Sequence, residues 1–193
     1  MNSPLTTQDF FGAVPIEPKK PKVFASLTSG HDDNEWYTPR HIIELARDVL
    51  GNLDLDPASC ALAQQTVKAG AYYDKHQNGL GHPWFGKVWL NPPYSRDLMA
   101  KFAGRLLHQY EKGNVESGIL LTHNCTETSW FQICAAGAVS VCFPRGRLRF
   151  HNPSRTIKST PGVGQALLYF GPDPKRFDKV FSTIGLVMGR PGQ

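Results

Sequence analysis

The sequence predicts an α/β fold, a doubly wound and mostly parallel sheet with helices on both faces. Two features of the chain carry that expectation. Apolar runs of strand length alternate with segments of 3.6-residue periodicity. One of the runs, SGILLT at 117–122, is apolar without interruption, as in a strand covered on both faces. The length bounds the answer further: 193 residues with 40% apolar and 19% charged side chains suffice for one packed domain and are too few for two.

The elements follow in order. Residues 1–30 hold four prolines, a KKPK cluster and no sustained period, so 1–32 reads as a flexible basic arm. Within it Lys19, Lys20 and Lys22 are either solvated or in contact with phosphate. A single folded unit is expected over 33–187, with a loose tail at 188–193. Thr38 at the N-cap and Pro39 at the first helical position open a helix whose apolar residues 42, 45, 46, 49 and 50 share a face, and Gly51 closes it. NLDLD at 52–56 alternates as a short strand and runs into the turn residues Pro57, Ala58 and Ser59. Residues 60–68 read equally well as a short helix or a loop. A second strand is expected at 70–73, then a polar connection through Gly86, then the strand KVWL at 87–90. The helix at 95–111 sets Leu98, Phe102, Leu106 and Tyr110 together. After the strand at 117–122 come a helix at 128–136, a strand at 138–143, and a pair of late strands at 147–150 and 165–170. Residues 176–187 are helix or strand.

Composition excludes several classes. Lys plus Arg outnumber Asp plus Glu by 21 to 16, which permits a polyanionic partner without requiring one. Cys60, Cys125, Cys134 and Cys142 form no CxxC pair and no secretory segment is apparent, so free thiols in a reducing cytoplasm are expected. No apolar run reaches bilayer length. The seven histidines make no HxH or HExxH set, and no metal is expected.

In a doubly wound sheet, ligands lie beyond the carboxyl ends of the strands. That rule puts Asp56, the connection after Tyr73, and Asn91-Pro92-Pro93-Tyr94 on one rim. Two prolines in succession have fixed φ and no amide hydrogen, so the chain after Leu90 is stiff and its carbonyls are free to accept. The Asn91 side chain adds another acceptor, and the Tyr94 ring can stack on a planar group. Convergent acceptors beside an aromatic face suit a flat heterocycle with an exocyclic amino group, such as an adenine or cytosine lifted from a duplex. Asn-Pro is also a common turn dipeptide; its place between a strand and a helix is what favours a site.

Several blocks stand in a fixed order: NEWYTP at 34–39, LDLDPAS at 53–59, YYDKHQNGL at 72–80, WFGKVWLNPPYS at 84–95, ILLTHNCTETSWF at 119–131, FPRGRLRF at 143–150 and QALLYFG at 165–171. Together they resemble the phage-type N6-adenine DNA methyltransferases over residues 33–170. The resemblance implies a Rossmann-like methyltransferase sheet, S-adenosylmethionine as cofactor, double-stranded DNA as substrate, and action in the cytoplasm of a bacterial host if the gene is a phage's. It implies that Asn91, Pro92, Pro93 and Tyr94 hold the flipped base. Trp36, Thr38 and Pro39 would lie against the methionine end of the cofactor, although Trp36 serves equally well as a core residue. Asp54 or Asp56, with Pro57, would hold its ammonium or ribose hydroxyls, and Asn78 and Leu80 would meet its adenine. Relatives often carry an acidic residue before Gly-Leu where this chain has Asn78, and the glycine-rich turn of many methyltransferases is replaced by Asp-Pro-Ala-Ser. Asp74 reads as a solvated loop residue. Ser95, Arg145, Arg147, Arg149, Arg155 and Lys158 would contact DNA, an alternation that an exposed strand face also shows.

No Pro-Cys pair occurs, as methylation of a cytosine ring carbon would call for. Two other readings remain: transfer to the N4 amino group of cytosine, and a non-catalytic DNA-binding domain with the same fold. The chain leaves little length for a separate recognition domain, so short or relaxed target specificity is expected, in a monomer or weak dimer.

Overall fold

The computed structural model describes residues 37–150 and 162–189. The arm, Trp36, Arg155 and Lys158 lie outside the described residues.

Helix α1 (Arg40–Leu50) turns Ile42, Ile43, Ala46 and Leu50 inward and ends at Gly51, whose φ of 83° lets its N–H reach the Arg47 carbonyl. Its N-cap is Pro39, with no side-chain cap, so the expected capping role of Thr38 is corrected. Strand β1 (Leu55–Asp56) is shorter than the alternation in NLDLD predicts, because the Asp54 carboxylate takes the Lys87 N–H at 2.8 Å. The ambiguous stretch 60–68 forms α2 (Ala61–Val67), capped by the Cys60 thiol accepting from Ala63 N–H. Strand β2 (Ala71–Tyr72), a 3₁₀ turn at Gly79–Gly81 and β3 (Gly86–Leu90) follow.

Helix α3 (Arg96–Glu111) buries Met99, Phe102, Ala103, Leu106 and Leu107. Leu98 is 38% exposed, against expectation, because the inward stripe at spacings of three and four runs through 99. Strand β4 (Val115–His123), α4 (Ser129–Gly137) and β5 (Ser140–Pro144) come next. Strand β6 (Gln165–Phe170) is buried at every residue. The span 176–187 divides between α5 (Pro174–Phe181) and β7 (Gly185–Gly189), so the last strand runs two residues into the stretch read as a tail.

The strands form one sheet in the order β2-β1-β3-β4-β6-β5-β7. The pairs β1·β2, β1·β3 and β3·β4 are parallel, whereas β4·β6, β5·β6 and β5·β7 are antiparallel. The expectation of a mostly parallel ladder is thus corrected: β6 runs against both neighbours, wedged between β4 and β5. Residues 147–150 form no strand, another correction. Leu148 and Phe150 alternate inward there, but the Leu148 N–H is taken by the Gln165 side-chain carbonyl at 2.9 Å instead of a neighbouring backbone.

Helices do cover both faces. Leu121, Leu167 and Tyr169 pack with α1 and with Phe177 and Phe181 of α5, while Leu120, Ala166 and Leu168 pack with α3 and with Phe131 and Cys134 of α4. The pleat sends successive residues of one strand to opposite cores. No described helix is long and apolar enough to cross a membrane.

Candidate active site

The chain passes from β1 to β2 on one side, then returns to lay β3 on the other side of β1. Strand order therefore reverses between β1 and β3, and a crevice opens at such a switch point beyond the carboxyl ends. Asp56 is the last residue of β1, and Asn91 is the first after β3. The structure brings both to this point.

Asn91 is held from two sides. Its Nδ2 donates to Thr38 Oγ1 at 3.1 Å, and its Oδ1 accepts from the Tyr94 hydroxyl at 2.8 Å. Buried Thr38 thus ties the entry of α1 to the end of β3, a better use of its hydroxyl here than capping. Pro92 is buried and Pro93 exposed. The Tyr94 ring folds back over the end of β4, stacked on His123 with centroids 4.3 Å apart and planes 22° from parallel, and meets Phe150 edge-on at 5.9 Å. Burial pushes the Tyr94 hydroxyl above its ordinary range, so it stays protonated and donating. Burial also holds the His123 imidazole below its usual value, which favours the neutral ring.

Of the two candidate aspartates, only Asp56 faces the switch point. Asp54 accepts from Lys87 N–H and from the Asn52 amide, which fastens the other end of β1 to β3. Asp56 is 3% exposed and accepts from Gln64 Nε2 at 2.9 Å and from Ala58 N–H at 3.4 Å. Burial pushes its carboxyl up to about 7, against the hydrogen bonds from Ser59, Ala58 and Gln64. Those partners are all neutral. Buried Pro57 adjoins the 3₁₀ turn so closely that a Cβ at Gly79 would collide with the Pro57 carbonyl oxygen. This contact draws Asn78 and Leu80 to the Asp56 turn, Asn78 exposed in the left-handed region at φ 57° and Leu80 packed on the core. Asp74 receives the His76 and Gln77 N–H groups and shapes its own loop.

Ser95 is exposed at the N-cap of α3. Arg145, Arg147 and Arg149 are exposed on a segment that ends at Phe150, the ring that meets Tyr94 edge-on. The buried thiols of Cys134 and Cys142 are pushed up to about 12 and are no nucleophiles at neutral pH. Among the described residues no His, Cys, Asp and Glu group could hold a metal ion.

His123 and Phe150 were assigned no role from the sequence. For His123 the signal existed: it is the last residue of β4, and the rule that placed Asp56 and Asn91 on the rim applies to it equally.

Residues 25–184 match the family model described as DNA N-6-adenine-methyltransferase (Dam). The chain belongs to this family. The DNA N-6-adenine-methyltransferase of Escherichia phage T1 is a Dam relative, 34% identical over 110 residues, which cover 55% of this chain and 42% of the phage protein. The chain thus spans under half the length of that relative. No solved structure matches.

Proposed function

We propose that this Dam-family protein transfers a methyl group from S-adenosylmethionine to the N6 amino group of adenine in double-stranded DNA. On this reading residues 33–187 act as one Rossmann-like methyltransferase domain. The observation that carries the reading is the chain of hydrogen bonds Thr38–Asn91–Tyr94 at the carboxyl end of β3, beside the switch point. It fixes an amide oxygen where a flipped base would present its amino group, with an aromatic ring alongside.

The residues present fit the cofactor. Asp56 is a buried carboxylate with only neutral partners, and its raised pKa marks a site where a cation would be welcome. The ammonium of S-adenosylmethionine supplies one, with Thr38 and Pro39 beside it at the start of α1 and Asn78 and Leu80 toward its adenine. When bound, the cofactor supplies an electrophilic sulfonium methyl group. The lone pair of the target amino nitrogen is delocalised into the base. Asn91 Oδ1 and the Pro92 carbonyl would accept hydrogen bonds from its two N–H groups and return electron density to nitrogen; the electron pair of the broken methyl–sulfur bond would stay on sulfur, and the surplus amino proton would pass to water. Thr38 keeps the Asn91 amide from rotating, so the acceptor is aligned in advance. Orientation supplies much of the rest. Ser95, the three exposed arginines, Arg155 and Lys158 would meet DNA phosphates.

The test is incubation of the purified protein and of Asn91→Ala with unmethylated DNA and S-adenosylmethionine, followed by nucleoside mass spectrometry. The wild type is expected to yield N6-methyladenine, with the variant slowed about 100-fold or more. N4-methylcytosine would replace the base in this reading, and cofactor binding without either product would sink it.

A further inference from the structure

Resting on that reading, we infer that His123 is a positioning residue for the reaction, acting through Tyr94: its ring sets the plane in which Tyr94 meets the target base. Three contacts fix the Tyr94 side chain. The hydroxyl is bonded to Asn91 Oδ1 at 2.8 Å, an edge contact runs to Phe150 at 5.9 Å, and the face lies on His123 at 4.3 Å.

The first of these anchors the ring but does not set its tilt. An amide oxygen has two lone pairs, so Asn91 Oδ1 can keep the Tyr94 hydroxyl and still accept from the target amino group, and the phenol oxygen lies on the axis about which the ring turns. The plane of the ring is set by its aromatic contacts, Phe150 and His123. Phe150 meets Tyr94 at 77° and can limit its swing, but only the stacked His123, 22° from parallel, defines a plane.

His123 is itself well anchored. It ends β4, in register with Gln165 of β6, and Gln165 is 2% exposed with its side chain bonded to Leu148 N–H and the Val163 carbonyl. The preceding residue, Thr122, is fully buried and donates to Met99 Sδ at 3.2 Å. The imidazole therefore stands on the rigid part of the sheet, whereas Tyr94 stands on the connection before α3. A ring seated on the sheet behind one carried by a connection is the arrangement that presents a stacking face at constant tilt.

The experiment compares wild type with His123→Leu, which keeps bulk at the end of β4 but offers no planar face, and with His123→Phe, which restores one. Each is also made in a Tyr94→Ala background. Methylation kinetics on unmethylated plasmid DNA are read with S-adenosylmethionine affinity by calorimetry. A duplex carrying 2-aminopurine at the adenine the wild type methylates reports stacking of the flipped base.

His123→Leu is expected to lower kcat/KM for DNA about tenfold and to weaken the 2-aminopurine quench, with cofactor affinity unchanged. His123→Phe should recover most of both. In the Tyr94→Ala background His123→Leu should cost nothing further, because a residue acting only through Tyr94 has nothing left to act on. An equal loss in both backgrounds, or a loss below about threefold in the first, overturns the positioning role. The two ideas fail separately. If wild type methylates adenine and His123→Leu matches it, the role of His123 falls alone; if wild type modifies no adenine, the proposed reaction falls.

Discussion

Asp56 shows how a single side chain links stability to binding. Its carboxyl, raised from 3.8 to about 7 by burial, binds a proton more tightly folded than unfolded. Its contribution is fully present below pH 4 and is lost as pH rises through 7, an effect on the order of 4 kcal/mol at most. Asp56→Asn should therefore abolish a fall in stability between pH 5 and pH 8, measured by urea unfolding at both. Binding runs the other way. A cationic cofactor group selects the ionised carboxylate, so wild-type affinity for S-adenosylmethionine should rise up to about tenfold from pH 6 to pH 8, and the Asn variant should lose that rise. The sequence offered Asp54 and Asp56 as equals, since alternation marks both and does not say that Asp54 precedes the strand while Asp56 ends it. Asn91 was legible from its setting between strand and helix. Its partner Thr38 was not legible as a partner, because a hydroxyl 53 residues away carries no local signature of that contact.

At the level of elements, burial alternation was readable and pairing was not. Residues 147–150 alternate Arg with buried apolar side chains as a strand would, yet the Gln165 side chain stands in for the neighbouring strand. The ends of α1, α3 and α4 were read within one or two residues, because Gly51 and the residues before α3 are strong local signals, whereas the end of α5 was not. The 3₁₀ turn at Gly79–Gly81 was hidden inside a polar connection, although it packs against Pro57 of the Asp56 turn. Trp84 Nε1 donates to the Gly79 carbonyl at 2.8 Å, and Arg105 Nη2 donates to the His82 carbonyl at 2.6 Å, so the turn is tied down at both ends. Gly79→Ala is expected to cost about 1–3 kcal/mol in thermal or chemical unfolding, because the added methyl meets backbone and not a movable side chain. Weaker binding of S-adenosylmethionine should accompany that loss, as calorimetry would show, if the turn faces the cofactor.

For the whole molecule, the α/β class and the coverage of both faces follow from alternating strand and helix patterns. Strand polarity does not. Strand β6 is buried at all six residues, and a run of that kind reads the same whichever way its neighbours point. Its central place predicts where stability resides. Leu168→Ala, at a fully buried site between β4 and β5, should cost about 2–5 kcal/mol. Met188→Ala on the outermost strand, 58% exposed, should change stability by only about 0.5 kcal/mol, and urea unfolding of the pair measures the contrast.

The reversed direction of β6 has an evolutionary consequence. Strand β5 arrives at the rim with Pro144, and β6 departs from it at Gln165, with Phe150 already against Tyr94. No ladder of the sheet passes through Arg145, Arg147 or Arg149, so changes at these exposed positions, beside buried Leu148 and Phe150, leave strand register untouched. Descendants of a common ancestor could thus diverge at those positions by small changes in one short stretch of gene while the inherited sheet stays as it was.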